Sequence, residues 1–420
     1  MGSAQKVPLE KIREVFIAAI DRSRLSYFKY CMRAGSCAYA CHFWLVEPRH
    51  ELVPGIKGKR VEDVFKREFT ILGKIKAKIF KEEFISQEEL KKWLELAYGY
   101  CSLCDHCMLA CPYSVEFPPL TLYMRVVLHA AGLTPESVKQ QIKNEFEIGH
   151  PYGVTKEEWL RIVDKVRSEV DGDIPIDKKG AKILVIPGKR SLTDNLDSFI
   201  STIRILQAAK EDFTISSELW TGCMSTWDIG AWEEMRILTE KRAKIIEGLQ
   251  VKTLLTTNDA CGYYGWRWLA DRVLRRRLKF DVLDLTELVS QYIKEGRIKL
   301  DSSVNDFRAT YHDPCHLARK GGVVKEPRIA IKHAVKEFVE MPNSGIYSFC
   351  CSEGCLRVDE YRHTRLKAFK PKFEDIKATN AEYVITACDE CFSTMKEFLN
   401  EYGSKVKVID IATLVANALT

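Results

Sequence analysis

Cys101-Ser-Leu-Cys104-Asp-His-Cys107-Met-Leu-Ala-Cys111-Pro112 is the stretch on which the reading of this 420-residue chain turns. Its spacing is C-x2-C-x2-C-x3-C-P. Three thiolates so close together can converge from one tight turn on a single cube of iron. The fourth sits at the start of the helix that Pro112 favours, points away and reaches a different cluster. A structural zinc site instead pairs two separated CxxC knuckles.

Toward the N-terminus, Cys31-Met-Arg-Ala34-Gly-Ser-Cys37-Ala-Tyr-Ala-Cys41 lies over the same template, with Ala34 where the second cysteine belongs and His42 where a proline would follow. Cross-ligation then assigns Cys41, Cys101, Cys104 and Cys107 to a complete 4Fe–4S site. Cys31, Cys37 and Cys111 are left as three thiolates and a gap. Three thiolates suit a 3Fe–4S cluster, because the unliganded corner iron is easily lost; the alternative is a 4Fe–4S cluster with a non-cysteine fourth ligand or none. The double run resembles bacterial ferredoxins, and the small residue at the second position resembles the iron–sulfur subunit of succinate dehydrogenase. Val61–Phe69 and Glu88–Ala97 between the runs read as helices. Residues 1–150 are therefore expected to form a mainly helical two-cluster ferredoxin-like domain with an insertion.

Composition sets the frame. Apolar residues make up 46% and charged residues 29%, enough for more than one core. A net charge of +6 spread along the chain gives no nucleic-acid footprint. No apolar run is long enough to span a bilayer directly, and Met1–Glu10 has no apolar signal segment, so a cytoplasmic protein is expected. Fifteen grouped cysteines in such a chain point to metal or redox chemistry rather than a disulfide framework.

From Lys182 onward, short β-rich runs alternate with longer amphipathic ones. Strands are predicted at Ile183–Pro187, Phe213–Leu219, Thr253–Thr257, Asp281–Leu285, Ala309–His312, Ile346–Phe349, Tyr383–Thr386 and Val406–Ile411. Helices are predicted at Ser198–Lys210, Ala231–Leu249, Glu326–Glu340, Tyr361–Lys377 and Ser393–Tyr402. Strand–helix alternation implies parallel α/β sheets. Residues 151–180, rich in Pro, Gly and Asp, read as a linker.

The half after the linker matches itself. Leu255-Thr-Thr-Asn258-Asp-Ala-Cys261 lies over Ile385-Thr-Ala-Cys388-Asp-Glu-Cys391, Gly222-Cys223 over Cys350-Cys351, and Pro187-Gly-Lys189 over Asp313-Pro-Cys315. The offsets are 130, 128 and 126 residues, nearly constant, which indicates an internal duplication. In the second copy Cys315, Cys350, Cys351, Cys388 and Cys391 each fall at or just after a predicted strand end, where sites assemble in open α/β sheets. Five thiolates exceed what one zinc or one cubane uses, so a larger iron–sulfur assembly is the simplest reading.

That spacing resembles the cysteine-rich CCG domain of heterodisulfide reductases. The whole chain is similar to the fused catalytic subunits of that group: the D subunit of heterodisulfide reductase, the K subunit of the sulfite-reductase-associated membrane complex, and the related proteins of sulfur-oxidising organisms. The resemblance implies an α+β multidomain protein: the ferredoxin-like domain (1–150), the linker (151–180), a degenerate CCG domain (181–305) and an intact one (306–420). It implies that Cys315, Cys350, Cys351, Cys388 and Cys391 hold a noncubane 4Fe–4S cluster at which a disulfide is made or broken, or a carrier-bound sulfur oxidised. Implied partners are a thiol or disulfide substrate or a small sulfur-carrier protein, and other subunits, a flavoprotein or a membrane quinone-reactive one, through which membrane association would run. The rival reading is a non-catalytic relay of a flavin-dependent glycolate, lactate or glycerol-3-phosphate dehydrogenase, since CCG domains also occur there. No Gly-rich dinucleotide fingerprint appears, so flavin or nicotinamide chemistry would lie on another subunit.

The departures are specific. Ser352 stands where the family has glycine after the cysteine pair, and Cys355 is an additional thiol, a sixth ligand or a spare. Lys189, Gly222 and Asn258 replace three ligands in the first copy, leaving Cys223 and Cys261. These two are either core remnants or a facing pair able to form a redox disulfide or hold a substrate sulfur. His312 and His316 flank Cys315; either is a hydrogen-bonding residue or a proton source for a leaving thiolate, with His316 the expected catalytic one.

Overall fold

The computed structural model describes residues 9–20 and 27–420; most of the Met1–Glu10 stretch lies outside the described residues. The chain forms two compact units. The first comprises the chain up to Lys139 together with Thr226–Trp232 and Ser352–Pro371; the second comprises Gln140–Ser225, Glu233–Cys351 and Lys372–Thr420.

All the named strands belong to the second unit, in two parallel four-stranded sheets. Strands β1 (Ile183–Pro187), β2 (Phe213–Thr214), β3 (Thr253–Thr257) and β4 (Asp281–Asp284) form the first, in the order β2-β1-β3-β4. Strands β5 (Arg308–His312), β6 (Glu337–Phe338), β7 (Tyr383–Thr386) and β8 (Lys407–Asp410) form the second in the matching order β6-β5-β7-β8. The central strands are covered by helices on both faces, which is why β1 reads as the unbroken apolar run Ile-Leu-Val-Ile and is buried along its whole length. β2 and β6 pair over only two residues each, and such short edges offer little template for further pairing. The sheets are joined reciprocally. Leu196–Ala208, the first helix of the first repeat, packs on Ile411–Asn417, the last of the second; Leu285–Lys294, the last of the first repeat, packs on Lys325–Ala334, the first of the second.

Four expectations change. Ile346–Phe349 is not a strand: Gly345, at φ 59, starts a 3-10 turn, and the pairing falls to Glu337–Phe338 inside the expected helix, which ends at Ala334. Phe213–Leu219 pairs as a strand only over its first two residues. Tyr361–Lys377 is two helices, Arg362–Ala368 and Lys370–Ala378, broken where Pro371 disfavours helical backbone just before it. Residues 151–180 include the helix Lys156–Glu169, started by a capping box in which Thr155 and Glu158 satisfy each other's backbone N–H.

The first unit is helical where it is regular. Its longest helices are Pro54–Phe69 and Pro118–Ala130, each opened by proline at its first turn. The expected helix Glu88–Ala97 begins at Gln87 and widens into a π turn over Glu95–Gly99. Arg125, buried, answers that irregularity. Its guanidinium donates to the Ala97 carbonyl (3.0 and 2.8 Å), the Cys101 carbonyl (2.6 Å) and the Asp228 carbonyl (2.6 Å). Arg365 donates to the carbonyls of Tyr98 (2.7 Å) and Ser352 (2.9 Å). Two buried arginines thus pin three distant segments by their backbones, leaving few carbonyls unsatisfied.

Candidate functional site: three cysteine clusters

Seven of the eight cysteines in the first unit divide between two recesses. Cys31, Cys37 and Cys111 line one of about 420 Å³, together with Ala34, Gly35 and Phe117. Gly35 has φ 79, the left-handed region that glycine adopts without strain, and turns the chain between Cys31 and Cys37. Gly55 lies close opposite: a Cβ there would stand 3.5 Å from the Cys31 sulfur. Burial pushes the Cys37 thiol up, the Gly55 backbone N–H pulls it down, and Cys31, Cys111 and Cys41 push it up again. Ala34 faces this recess with no donor atom.

Cys41, Cys101, Cys104 and Cys107 line the other recess, of about 360 Å³. Leu103 and Asp105, at φ 53 and 60, give the short loop its tight reversals. Burial raises Cys107 well above an ordinary thiol, and Cys104, Cys41 and Cys101 add to it. Burial also raises Cys41, while the Lys57 ammonium, buried and donating to the Tyr100 carbonyl, lowers it. Crowded soft donors that oppose one another's ionisation, with a cation at hand, are a donor set that fits an iron–sulfur cluster.

The third group lies in the second unit beyond the carboxyl ends of β5 and β7. Cys315 and Cys350 have sulfurs 4.0 Å apart, and Cys351 and Cys391 3.4 Å apart; all five cysteines of the group are buried. Hydrogen bonding with Cys351 and Cys388 is the main reason the Cys391 thiol is raised. His312, at the end of β5, has a ring nitrogen within 4.8 Å of the Cys351 and Cys391 sulfurs. Burial and then Lys372 hold it neutral, and neither ring nitrogen has a hydrogen-bond partner. His316 Nδ1 is 3.5 Å from the Cys315 sulfur and its Nε2 is 3.2 Å from Lys320 Nζ. Cys355 is buried within the first unit, on the segment Ser352–Pro371. Ser352 has φ 79, a conformation in which glycine carries no strain, which explains why a glycine suits the position.

Beyond β1 and β3 the first repeat is built differently. The Cys223 and Cys261 sulfurs are 3.9 Å apart, and Cys223 donates to Ser225 Oγ (3.1 Å). Lys189, 1% exposed, pairs with Glu390 at 3.2 Å. Arg190 pairs with the same carboxylate at 2.9 Å, and Tyr152 donates to it at 3.0 Å. Burial alone would raise Glu390, but Arg190 and Lys189 outweigh it and hold it at about 2. Burial opposes the Lys189 charge too, yet Cys223, Tyr152, Glu390 and Cys261 keep it firmly protonated. This network escaped the sequence reading, because its members are scattered from Tyr152 to Glu390 and share no spacing.

Residues 309–396 match the family of the cysteine-rich domain, CCG. The chain is 24% identical to the Hdr-like menaquinol oxidoreductase iron-sulfur subunit 2 of Archaeoglobus fulgidus, an alignment covering 99% of this chain and 84% of that one. It is 26% identical to the D subunit of the dihydromethanophenazine:CoB–CoM heterodisulfide reductase of Methanosarcina acetivorans, covering 93% of each. It is 23% identical to the EtfAB:quinone oxidoreductase of Syntrophomonas wolfei, covering 76% of this chain and 46% of that one. No helix among the described residues is long and apolar enough to cross a membrane.

Proposed function

We propose that this CCG-domain chain, a relative of the heterodisulfide-reductase-type iron–sulfur subunits, is a thiol–disulfide oxidoreductase subunit of a larger electron-transfer complex. Its chemical site is the group Cys315, Cys350, Cys351, Cys388 and Cys391. The observation that carries this reading is that the five thiols are all buried beyond β5 and β7 and in contact in two sets, Cys315 with Cys350 (4.0 Å) and Cys391 with Cys351 (3.4 Å) and Cys388. They would hold a noncubane 4Fe–4S cluster. Cys41, Cys101, Cys104 and Cys107 would hold a 4Fe–4S cluster, and Cys31, Cys37 and Cys111 a 3Fe–4S cluster, since Ala34 offers no fourth ligand. Bound there, the clusters would supply one-electron transfers and, at the five-cysteine site, iron for a substrate sulfur.

The chain's own residues set the conditions of that chemistry. Burial of all five cysteines keeps bulk water from the site. His316, 3.5 Å from the Cys315 sulfur and 3.2 Å from Lys320 Nζ, would hand a proton to a departing thiolate. His312, held neutral, offers a lone pair or an N–H beside Cys351 and Cys391 without adding charge. Electrons would come from or go to partner subunits, flavoprotein or quinone-reactive, and association with a membrane complex follows from them.

Electron paramagnetic resonance of anaerobically purified, oxidised protein, with and without a small thiol, tests the reading. The expected result is a 3Fe–4S signal, a second signal that appears only with thiol, and about 11 irons per chain. The thiol-dependent signal should vanish in Cys351→Ser while the 3Fe–4S signal stays. If thiol changes nothing, the chain is an electron relay for a flavin partner and the catalytic reading falls.

A further inference from the structure

One helix of the first unit is almost entirely uncovered. Ile71–Phe80 (ILGKIKAKIF) has no buried residue. Ile71 and Leu72 are each 79% exposed, Ile79 and Phe80 each 67%, and Ile75 51%. Isolated apolar residues on a surface are ordinary; a contiguous strip of long aliphatic side chains on one short helix is not.

The way the helix is fastened determines which face is free. Only Gly73 and Ala77 are partly covered, and at four residues apart they share a face. A Cβ at Gly73 would come within about 2.1 Å of the Lys66 carbonyl, so the helix lies directly on the end of Pro54–Phe69, where only glycine fits. Thr70 fixes the junction: its Oγ1 accepts from the Gly73 N–H at 3.0 Å and donates to the Lys66 carbonyl at 2.7 Å. At about 100° per residue, Ile71, Leu72, Ile75 and Ile79 fall on the side away from Gly73. The helix therefore turns Gly73 and Ala77 inward and its isoleucines and leucine outward, the reverse of a helix built to close its own core.

Charge completes the pattern. The helix contains no acidic residue; Lys74 and Lys78 border one edge of the apolar strip, Lys76 the other, and Lys81 follows at the C-cap. None of these four lysines forms an ion pair with a described residue. Lysines flanking an apolar strip can lay their methylenes along a lipid surface while their ammonium groups stay at phosphate level.

We infer that Ile71–Phe80 is an interfacial anchor that lays its Ile71–Leu72–Ile75–Ile79 face into the headgroup region of an anionic phospholipid surface. The partner is assigned as an anionic lipid surface because the strip is aliphatic and both its edges carry lysines with no ion pair to a described residue, the charge that complements phosphate headgroups. The anchor is independent of the proposed redox chemistry: it would seat this chain on a membrane directly, in addition to any hold through partner subunits.

Sedimentation of the full-length holoprotein with vesicles tests it. The expected result is binding to phosphatidylglycerol–phosphatidylcholine vesicles, weakened by salt and at least tenfold stronger than to pure phosphatidylcholine. The double variant Leu72→Glu/Ile79→Glu should lose at least tenfold of that binding. Because both side chains are exposed, its iron content and melting temperature should match the parent. Absence of binding to the anionic vesicles, equal binding to neutral ones, or unchanged binding by the double variant would each overturn the inference; an acidic partner subunit would then be what covers this face.

Discussion

The two repeats of the second unit have one architecture and two chemistries. Both run edge–centre–centre–edge in the same strand order, and both end in a helix capped by an aspartate, Asp284 in the first and Asp410 in the second. Yet beyond β5 and β7 lie five cysteines, while beyond β1 and β3 lie Lys189, Gly222, Asn258 and the Cys223–Cys261 pair. The backbone differs as well. Cys388 is extended at φ −150, whereas Asn258 is left-handed at φ 52, so the first-repeat helix starts only at Ala260. A cysteine at Asn258 would carry the strain that asparagine tolerates. The scaffold depends on buried apolar strands and reciprocal helix pairs; the site depends on loop residues that can change wholesale without touching them. Where the second repeat has a soft donor set, the first has a buried charge network whose counter-ion, Glu390, comes from the second.

The sharpest way to break this contrast is to remove one equivalent cysteine from each repeat. Cys391→Ser is expected to lower bound iron by about a third, from about 11 to about 7 per chain, while Cys261→Ser leaves it unchanged, as measured by iron assay on anaerobically purified protein. Equal losses would mean that the first repeat also holds metal. A smaller effect attends Lys189. Lys189→Met leaves Glu390 buried with Arg190 as its only cationic partner, and breaking such a pair costs about 3 kcal/mol. Chemical denaturation should show that loss with iron content unchanged; an undiminished stability would mean that Arg190 and Tyr152 suffice.

What could be read from the sequence divides along the same line. The cysteine runs were legible because cluster ligation imposes short fixed spacings, and β1 because a buried central parallel strand is a continuous apolar run; β3, β5 and β7 were legible as short stretches rich in β-branched and aromatic residues. β6 was not, since two residues such as Glu337-Phe338 carry no periodicity, and the apolar Ile346–Phe349 beside it drew the assignment instead. The buried network of Lys189, Arg190, Tyr152 and Glu390 was illegible for a different reason: its members come from distant parts of the chain, and each alone resembles an ordinary surface polar residue. Likewise nothing local in Thr226–Trp232 or Ser352–Pro371 announces that these segments fold with the first unit. Arg125 and Arg365 fasten them through backbone carbonyls, which leave no mark in the sequence.

The two capping aspartates give the finest test of how the repeats differ. Asp410 receives Asn258 Nδ2 (2.8 Å), Asn195 Nδ2 (2.9 Å) and the Thr413 N–H (3.1 Å), so both its oxygens are bonded. Asp284 receives Thr286 N–H (2.9 Å) and Oγ1 (2.6 Å) on one oxygen; the other has no partner. Burial therefore raises Asp284 to about 7, against the Thr286 bonds and with help from the charges of Glu287 and Asp259. An unfolded aspartate titrates near 3.9. Between those values the folded chain holds the proton and the unfolded chain does not. The stability tied to this group is thus complete below about pH 4 and falls as pH rises toward and through about 7, by at most about 1.4 kcal/mol per pH unit. Asp284→Asn stays neutral and still caps the helix. Relative to the parent, it should gain melting temperature between about pH 6 and pH 8, whereas Asp410→Asn should lose at both. Parallel pH profiles for Asp284→Asn and the parent would mean that Asp284 is ionised in the folded chain, its second oxygen answered by water.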